Sequence, residues 1–165
     1  MVIEIRPMQP GEVPAARNLV LEVASRLFQP EDTAGFIARH QHTLADVNEY
    51  QRDYSPPDGL FLVALDGGRL IGTGAIRRWD DSTAELRRMW LLEPYQGRGI
   101  GYRLWLALRE FSTLAGYVRI RLTTDEENQR ARAFYQRLGF VRVEQQGPTA
   151  QEIYLEMTLN DDDPN

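Results

Sequence analysis

Between Ala84 and Gly101 the chain changes periodicity within a few residues, and this stretch limits the fold more than any other. Ala84 to Leu92 reads as a strand, and Glu93-Pro94 stops it. After Gln96-Gly97-Arg98-Gly99, the residues Ile100, Leu104, Ala107, Leu108, Phe111 and Ala115 recur at helical spacing, and Gly116 stands where a helix cap is expected. Tyr117 to Thr123 is then a second strand. A strand, a helix and a strand in one unbroken run imply a parallel pair joined by a right-handed crossover.

The flanking segments are of a different kind. Val2 to Arg6 alternates apolar and charged residues, as a short strand does. Val13, Ala16, Leu19, Val20, Val23 and Leu27 follow at helical spacing, with Pro14 tolerated in the first turn. Thr33 to Tyr54 reads as one or two helices with Phe36, Ile37, His40, Leu44 and Val47 facing inward. Leu60 to Leu65 and Arg69 to Trp79 are strands joined by the hairpin turn Asp66-Gly67-Gly68. Downstream, Thr124-x-x-Glu127 forms a capping-box pattern before a helix that carries Ala131, Phe134, Tyr135 and Leu138 on one face and ends at Gly139. Two strands, Phe140 to Gln145 and Gln151 to Leu159, close the chain. The expected fold is α/β: one domain with a mixed, mostly antiparallel twisted sheet, flanked by helices, whose fourth and fifth strands form the parallel pair.

Composition removes several chemistries. The 165 residues suit one domain with one core. There is no cysteine, so disulfides, thiolate metal sites and a cysteine nucleophile are excluded. All 19 basic residues are arginine, and without lysine a Walker-type phosphate loop and Schiff-base chemistry are excluded too. The net charge of −5 does not favour nucleic acid as partner. Part of that charge lies in Asp161-Asp162-Asp163, read as an acidic tail over residues 161–165 that follows a domain over residues 1–160. Apolar runs are too short to span a bilayer, and the N-terminus has no secretory pattern, so a cytoplasmic location without membrane partners is expected.

The glycines between strand and helix point to a ligand. Backbone amides at a helix start, together with the positive end of its dipole, bind phosphate oxygens, and glycine allows close approach. Arg98 and Arg103 would add charge-assisted bonds. The spacing Gly97-x-Gly99-x-Gly101 is not the Gly-x-Gly-x-x-Gly of dinucleotide folds, and the strand acid expected some 20 residues on is missing. A tight turn with a helix cap remains the plain alternative.

Gln96-x-x-Gly99-x-Gly101 resembles the acyl-CoA pyrophosphate motif of the Gcn5-related N-acetyltransferase (GNAT) family. Glu85-Leu-Arg-Arg-Met-Trp-Leu-Leu resembles that family's fourth strand, and Asn128-x-x-Ala131-x-x-Phe134-Tyr135-x-x-x-Gly139-Phe140 its second signature. The resemblance runs from about Ala84 to Val143. It implies a splayed parallel pair with acetyl-CoA as cosubstrate, its arm lying against the backbone of Met89, Trp90 and Leu91, where a free amide would face the thioester oxygen. Gln96, Gly97, Arg98, Gly99, Ile100, Gly101 and Tyr102 would hold the pyrophosphate, and Asn128 would contact the cofactor arm. Tyr135 matches the tyrosine that protonates the departing thiolate, although it also lies on the apolar stripe.

Glu85 stands where some members of the family place a catalytic base, while the alternative glutamate position on the fifth strand is Thr123 here. Glu85 would otherwise pair with Arg87 on the same strand face. Arg87 in turn would be able to hold a substrate carboxylate by a bidentate contact. His40 and His42 lack further ligands and are read as structural or solvated, so no metal is expected. The reading is direct acetyl transfer to a primary amine of a small molecule or peptide. The alternative is a non-catalytic acyl-CoA-binding or regulatory domain. Leu27 to Thr33 and Gln145 to Gln151 would shape the acceptor site without a recognisable code, and a homodimer is compatible.

Overall fold

The computed structural model describes residues 2–28 and 30–159, apart from the side chains of Arg39, Gln41 and His42. The expected tail, 161–165, lies outside the described residues. The strands are β1 (Ile3–Pro7), β2 (Leu60–Asp66), β3 (Arg69–Arg78), β4 (Thr83–Leu91), β5 (Arg119–Asp125), β6 (Val141–Gln146) and β7 (Glu152–Thr158). The helices are α1 (Val13–Phe28), α2 (Thr33–His40), α3 (Ala45–Asn48), α4 (Tyr50–Asp53), α5 (Ile100–Leu114) and α6 (Gln129–Leu138). The strands form one sheet in the order β1-β2-β3-β4-β5-β7-β6. Every neighbouring pair is antiparallel except β4–β5.

Local chemistry accounts for most boundaries. Gly67 and Gly68 both take positive φ (56° and 85°), as a two-residue hairpin turn requires. The side chain of Asn128 accepts a hydrogen bond from the Ala131 amide at 3.1 Å and so caps α6, and Gly139 ends that helix at φ 103°. The cap therefore sits four residues beyond the expected Thr124. Pairing with β7 carries β5 on to Asp125, opposite Glu152, and holds Thr124 extended. Trp105, Leu104 and Leu108 bury one face of α5 among Ile71, Ile76, Ile120 and Leu122.

The stretch from Thr33 to Tyr54 is more broken than its apolar spacing predicts: α2, a 3-10 turn at Gln41–Leu44, then α3 and α4 of four residues each. Phe36, Leu44 and Val47 are buried as expected, but His40 is exposed. Its ring stacks on Phe36 at 4.2 Å, and Nδ1 lies 2.8 Å from the Phe36 carbonyl oxygen, so the histidine closes its own helix end. Among the described residues no cluster of potential metal ligands occurs and no helix is long and apolar enough to cross a membrane.

Candidate active site

β4 changes partners along its length. Parallel pairing with β5 covers only Thr83–Glu85, opposite Arg119–Arg121. Beyond Glu85 the two strands part, and the edge of β4 that faces β5 has no strand beside it. A bulge marks this point: the β3 register jumps from Ala75–Arg87 to Thr73–Trp90, and Arg88 takes φ 57°, the only positive φ of a described non-glycine residue. A left-handed arginine is costly. Three partners hold it. The Thr73 hydroxyl donates to the Arg88 carbonyl oxygen at 2.6 Å, and the Arg88 guanidinium donates to both oxygens of Asp46 at 2.6 and 3.0 Å and to the Thr43 carbonyl at 2.9 Å.

Asp46 comes from α3 and is 9% exposed. Burial alone would raise its pKa. Hydrogen bonds from Arg88 and from the Tyr54 hydroxyl (2.6 Å) outweigh that and hold the carboxyl at about 2. The same burial pushes the Tyr54 phenol upward. Neither Asp46 nor its pairing with Arg88 carries a sequence signal, since the two lie 42 residues apart.

Glycine makes room on β3. A Cβ at Gly74 would stand 2.7 Å from Met89 Sδ, and one at Gly72 would stand 2.9 Å from Leu91 Cδ1. The Met89 and Leu91 side chains therefore drop onto β3. The Gly72-Thr73-Gly74 spacing is the sequence signal for this room.

The gap opens into a cleft of about 800 Å³, in the range of small-molecule sites. Met89, Trp90, Leu91, Gln96, Gly97, Gly99, Gly101, Tyr102, Asn128 and Tyr135 all line it. Gly99 is the left-handed N-cap of α5 (φ 80°), so the amides of Ile100, Gly101 and Tyr102 begin that helix without an intrahelical acceptor. The Ile100 side chain is 2% exposed and belongs to the core, leaving its amide alone for a ligand. Space around Gly97 and Gly99 is open: a Cβ at either would meet nothing within 4 Å. Gln96 donates from Nε2 to the Leu91 carbonyl at 2.9 Å and so pins the turn to the strand end. Asn128 spends its oxygen on the α6 cap and keeps its amide nitrogen for the cleft.

Arg26, Arg130 and Arg137 also line the cleft and were not singled out by sequence. Arg98 instead lines a neighbouring hollow of about 310 Å³ with Arg26, Asp66, Arg69 and Tyr95, and stands over the Tyr95 ring at 5.9 Å. Arg103 turns away from the glycine turn and donates to the Ile3 carbonyl at 3.0 Å, which corrects the expectation that it aids a phosphate.

Tyr135 packs edge-on against Phe140 and Phe134 (5.6 and 5.3 Å), and its hydroxyl has no hydrogen-bond partner among the described residues. Burial raises its pKa, so the phenol stays protonated well above neutral pH. Glu85 is 7% exposed and does not line the cleft. It bonds Arg77 on β3, Nε to Oε1 at 2.5 Å, not Arg87 as expected, because the antiparallel register sets Arg77 directly opposite.

Several comparisons bear on this arrangement. The profile described as the acetyltransferase (GNAT) family matches residues 21–140. An N-acetylaspartate synthetase of Danio rerio is 38% identical over 105 residues, 62% of this chain and 36% of that protein, so the chain spans about a third of that relative's length. An uncharacterized N-acetyltransferase of Mycobacterium tuberculosis is 32% identical over 111 residues, covering 67% of this chain and 69% of the other. Among solved structures, the PaiA N-acetyltransferase of Thermoplasma acidophilum in complex with coenzyme A superposes with a TM-score of 0.82 at 24% identity, over 96% of this chain and 100% of that one. A GNAT-family acetyltransferase of Staphylococcus aureus gives 0.83 at 18% identity over 96% and 100%. These last two likenesses establish the fold.

Proposed function

The chain belongs to the GNAT acetyltransferase family, and from that premise we propose that it is an acetyl-CoA-dependent N-acetyltransferase acting on a primary amine of a small molecule or peptide by direct transfer. The observation that carries the reading is the parting of β4 from β5 beyond Glu85, at a cleft that also holds the start of α5 and Tyr135.

The residues present fit the cosubstrate. Open space at Gly97 and Gly99, three unbonded amides at the start of α5 and the guanidinium groups of Arg26, Arg130 and Arg137 suit a polyphosphate. The unpaired edge of β4 suits an extended amide-bearing arm. When bound, acetyl-CoA supplies an activated acetyl thioester and a thiol leaving group.

Each remaining step falls to the chain. A backbone amide within Met89–Leu91 donates to the carbonyl oxygen as negative charge grows there. Tyr135, a phenol that is protonated at neutral pH, gives its proton to the departing sulfur and is reprotonated from solvent. Glu85 engages Arg77 through one oxygen and offers the other as proton acceptor for the amine, through water where the two are not in contact. The nitrogen–carbonyl bond forms and the carbon–sulfur bond breaks. Of the two protons lost by an incoming ammonium, one ends on the thiol and one in solvent. The setting proposed is cytoplasmic.

The test is calorimetric titration of the full chain with acetyl-CoA, desulfo-CoA, ADP and NAD, followed by an amine screen with thiol-release detection. Acetyl-CoA binding well above ADP and NAD, with thiol release on adding an amine, is the expected result. Binding without release for any amine would favour the non-catalytic acyl-CoA-binding domain. No binding at millimolar concentration would end the reading.

A further inference from the structure

Four arginines crowd the β3–β4–β5 region around the point where the strands part. Three of them are neutralised. Arg77 is bonded to Glu85, Arg88 to Asp46, and Arg121 to Glu156 at 2.6 Å, with Arg121 also lying 4.6 and 5.1 Å from the ring centres of Tyr154 and Trp79. Arg87 is the exception. It is half-buried, and among the described residues it makes no hydrogen bond or ion pair. Its charge is felt only at longer range, by Asp46 and Tyr54, whose own partners are already in place. A half-buried guanidinium without a carboxylate loses hydration and gains no partner, which is unfavourable unless a ligand completes it.

Its position relates it to the cleft. Glu85, opposite Arg121, is the last paired position of β4 on the β5 side, and Arg87 is the next residue on the same strand face. Arg87 stands opposite Ala75, and Thr73, two residues along β3, lines the cleft. Two residues of strand are about 7 Å. Neither Arg87 nor Glu85 lines the cleft itself; along β4, Glu85 precedes Arg87 by two residues and the cleft-lining Met89 follows it by two. A cation and an anion two residues apart on one face complement a zwitterion: a carboxylate on Arg87, and an ammonium between Glu85 and the gap.

We propose that the acceptor is a small primary amine that also carries a carboxylate, of the amino-acid class, and that Arg87 binds this carboxylate. Arg87 is thus a specificity determinant. The inference rests on the N-acetyltransferase reading and narrows it: an uncharged amine would leave Arg87 as bare in the complex as it is in the free protein.

Kinetics of the full chain with acetyl-CoA test it, using glycine, L-aspartate and L-glutamate, each set against its α-carboxamide. The expected result is a kcat/KM at least about tenfold higher for the acids. Arg87→Ala should lower kcat/KM for the acids by about 100-fold, chiefly through KM, and bring the acid-to-amide ratio near one. Arg87→Lys should recover part of the loss. Acetyl-CoA affinity should stay unchanged and the melting temperature should not fall in either variant, which separates acceptor binding from a structural role. Efficient acetylation of amines with no preference for the acids, or an Arg87→Ala variant that keeps the preference, overturns this inference and leaves the N-acetyltransferase reading standing. Failure of the wild-type chain to bind acetyl-CoA overturns both.

Discussion

The two halves of β4 make an instructive pair. Thr83 to Leu86 is buried at every position, and Ala84 and Glu85 have strands on both sides. Arg87 to Leu91 is only half-buried and keeps a strand on one side alone. Both halves are extended and apolar enough to be core. The difference arises at a single irregularity, the left-handed Arg88, and the part of the strand that has lost a neighbour is the part that lines the cleft. The site is made by withholding pairing, and residues elsewhere hold the strand in that unpaired state. Changes in the paired half should then appear in stability, and changes around the unpaired half in chemistry or in both.

The largest effect expected is chemical. Tyr135→Phe removes no protein hydrogen bond, so the fold should hold, while kcat falls about 10³-fold, equivalent to about 4 kcal/mol in the barrier. Acetyl-CoA affinity should be retained in calorimetry. A variant with full turnover would remove Tyr135 as the acid.

Asp46→Ala attacks the tether of the bulge. It strands the buried Arg88 guanidinium and should cost about 4 kcal/mol in urea denaturation. The wild-type pair also sets an acid limit. The Asp46 carboxyl falls from an ordinary 3.8 to about 2 in the fold. A depressed pKa gives stability that is complete above the unfolded value and is lost as pH drops through the folded one. About 2 kcal/mol should therefore fade between roughly pH 4 and pH 2 in wild type and be absent from the variant.

Leu86→Ala, in the paired half, removes a buried side chain and should cost about 3 kcal/mol while leaving acetyl-CoA affinity of the folded protein unchanged. Gly74→Ala sits between the two behaviours. Its new methyl would crowd Met89 Sδ and Leu108, so about 2 kcal/mol of stability should be lost together with acetyl-CoA affinity, as Met89 is pushed toward the cleft. Equal effects of these two substitutions on cosubstrate binding would dissolve the distinction between the halves.

What the sequence made legible was local. The strand–helix–strand unit, the hairpin at Gly67-Gly68 and the glycine turn before α5 each announce themselves within a few residues, because positive φ and helical spacing act at short range. What it hid depends on register or on distance. The partner of Glu85 is decided by the alignment of β3 with β4, which a single strand does not contain. The link between Asp46 and Arg88 joins a one-turn helix to a bulge, and neither residue type is unusual in its own segment. Arg26, Arg130 and Arg137 reach the cleft from two different helices, on patterns that read as ordinary solvated faces.

The seam between β4 and β5 also bears on how the molecule opens. Among the described residues, three register positions are all the strand pairing that joins the block β1-β2-β3-β4 to the block β5-β7-β6. Each block is antiparallel within itself and can persist when its neighbour moves away. Opening along the seam breaks few bonds, so buried amides at Thr83–Glu85 and Arg119–Arg121 should exchange with deuterium through a fluctuation smaller than global unfolding, ahead of those in the middle of β2 and β3. The chain then behaves as two sheets hinged on a short stitch, and the line along which it is easiest to part is the line that continues into the cleft.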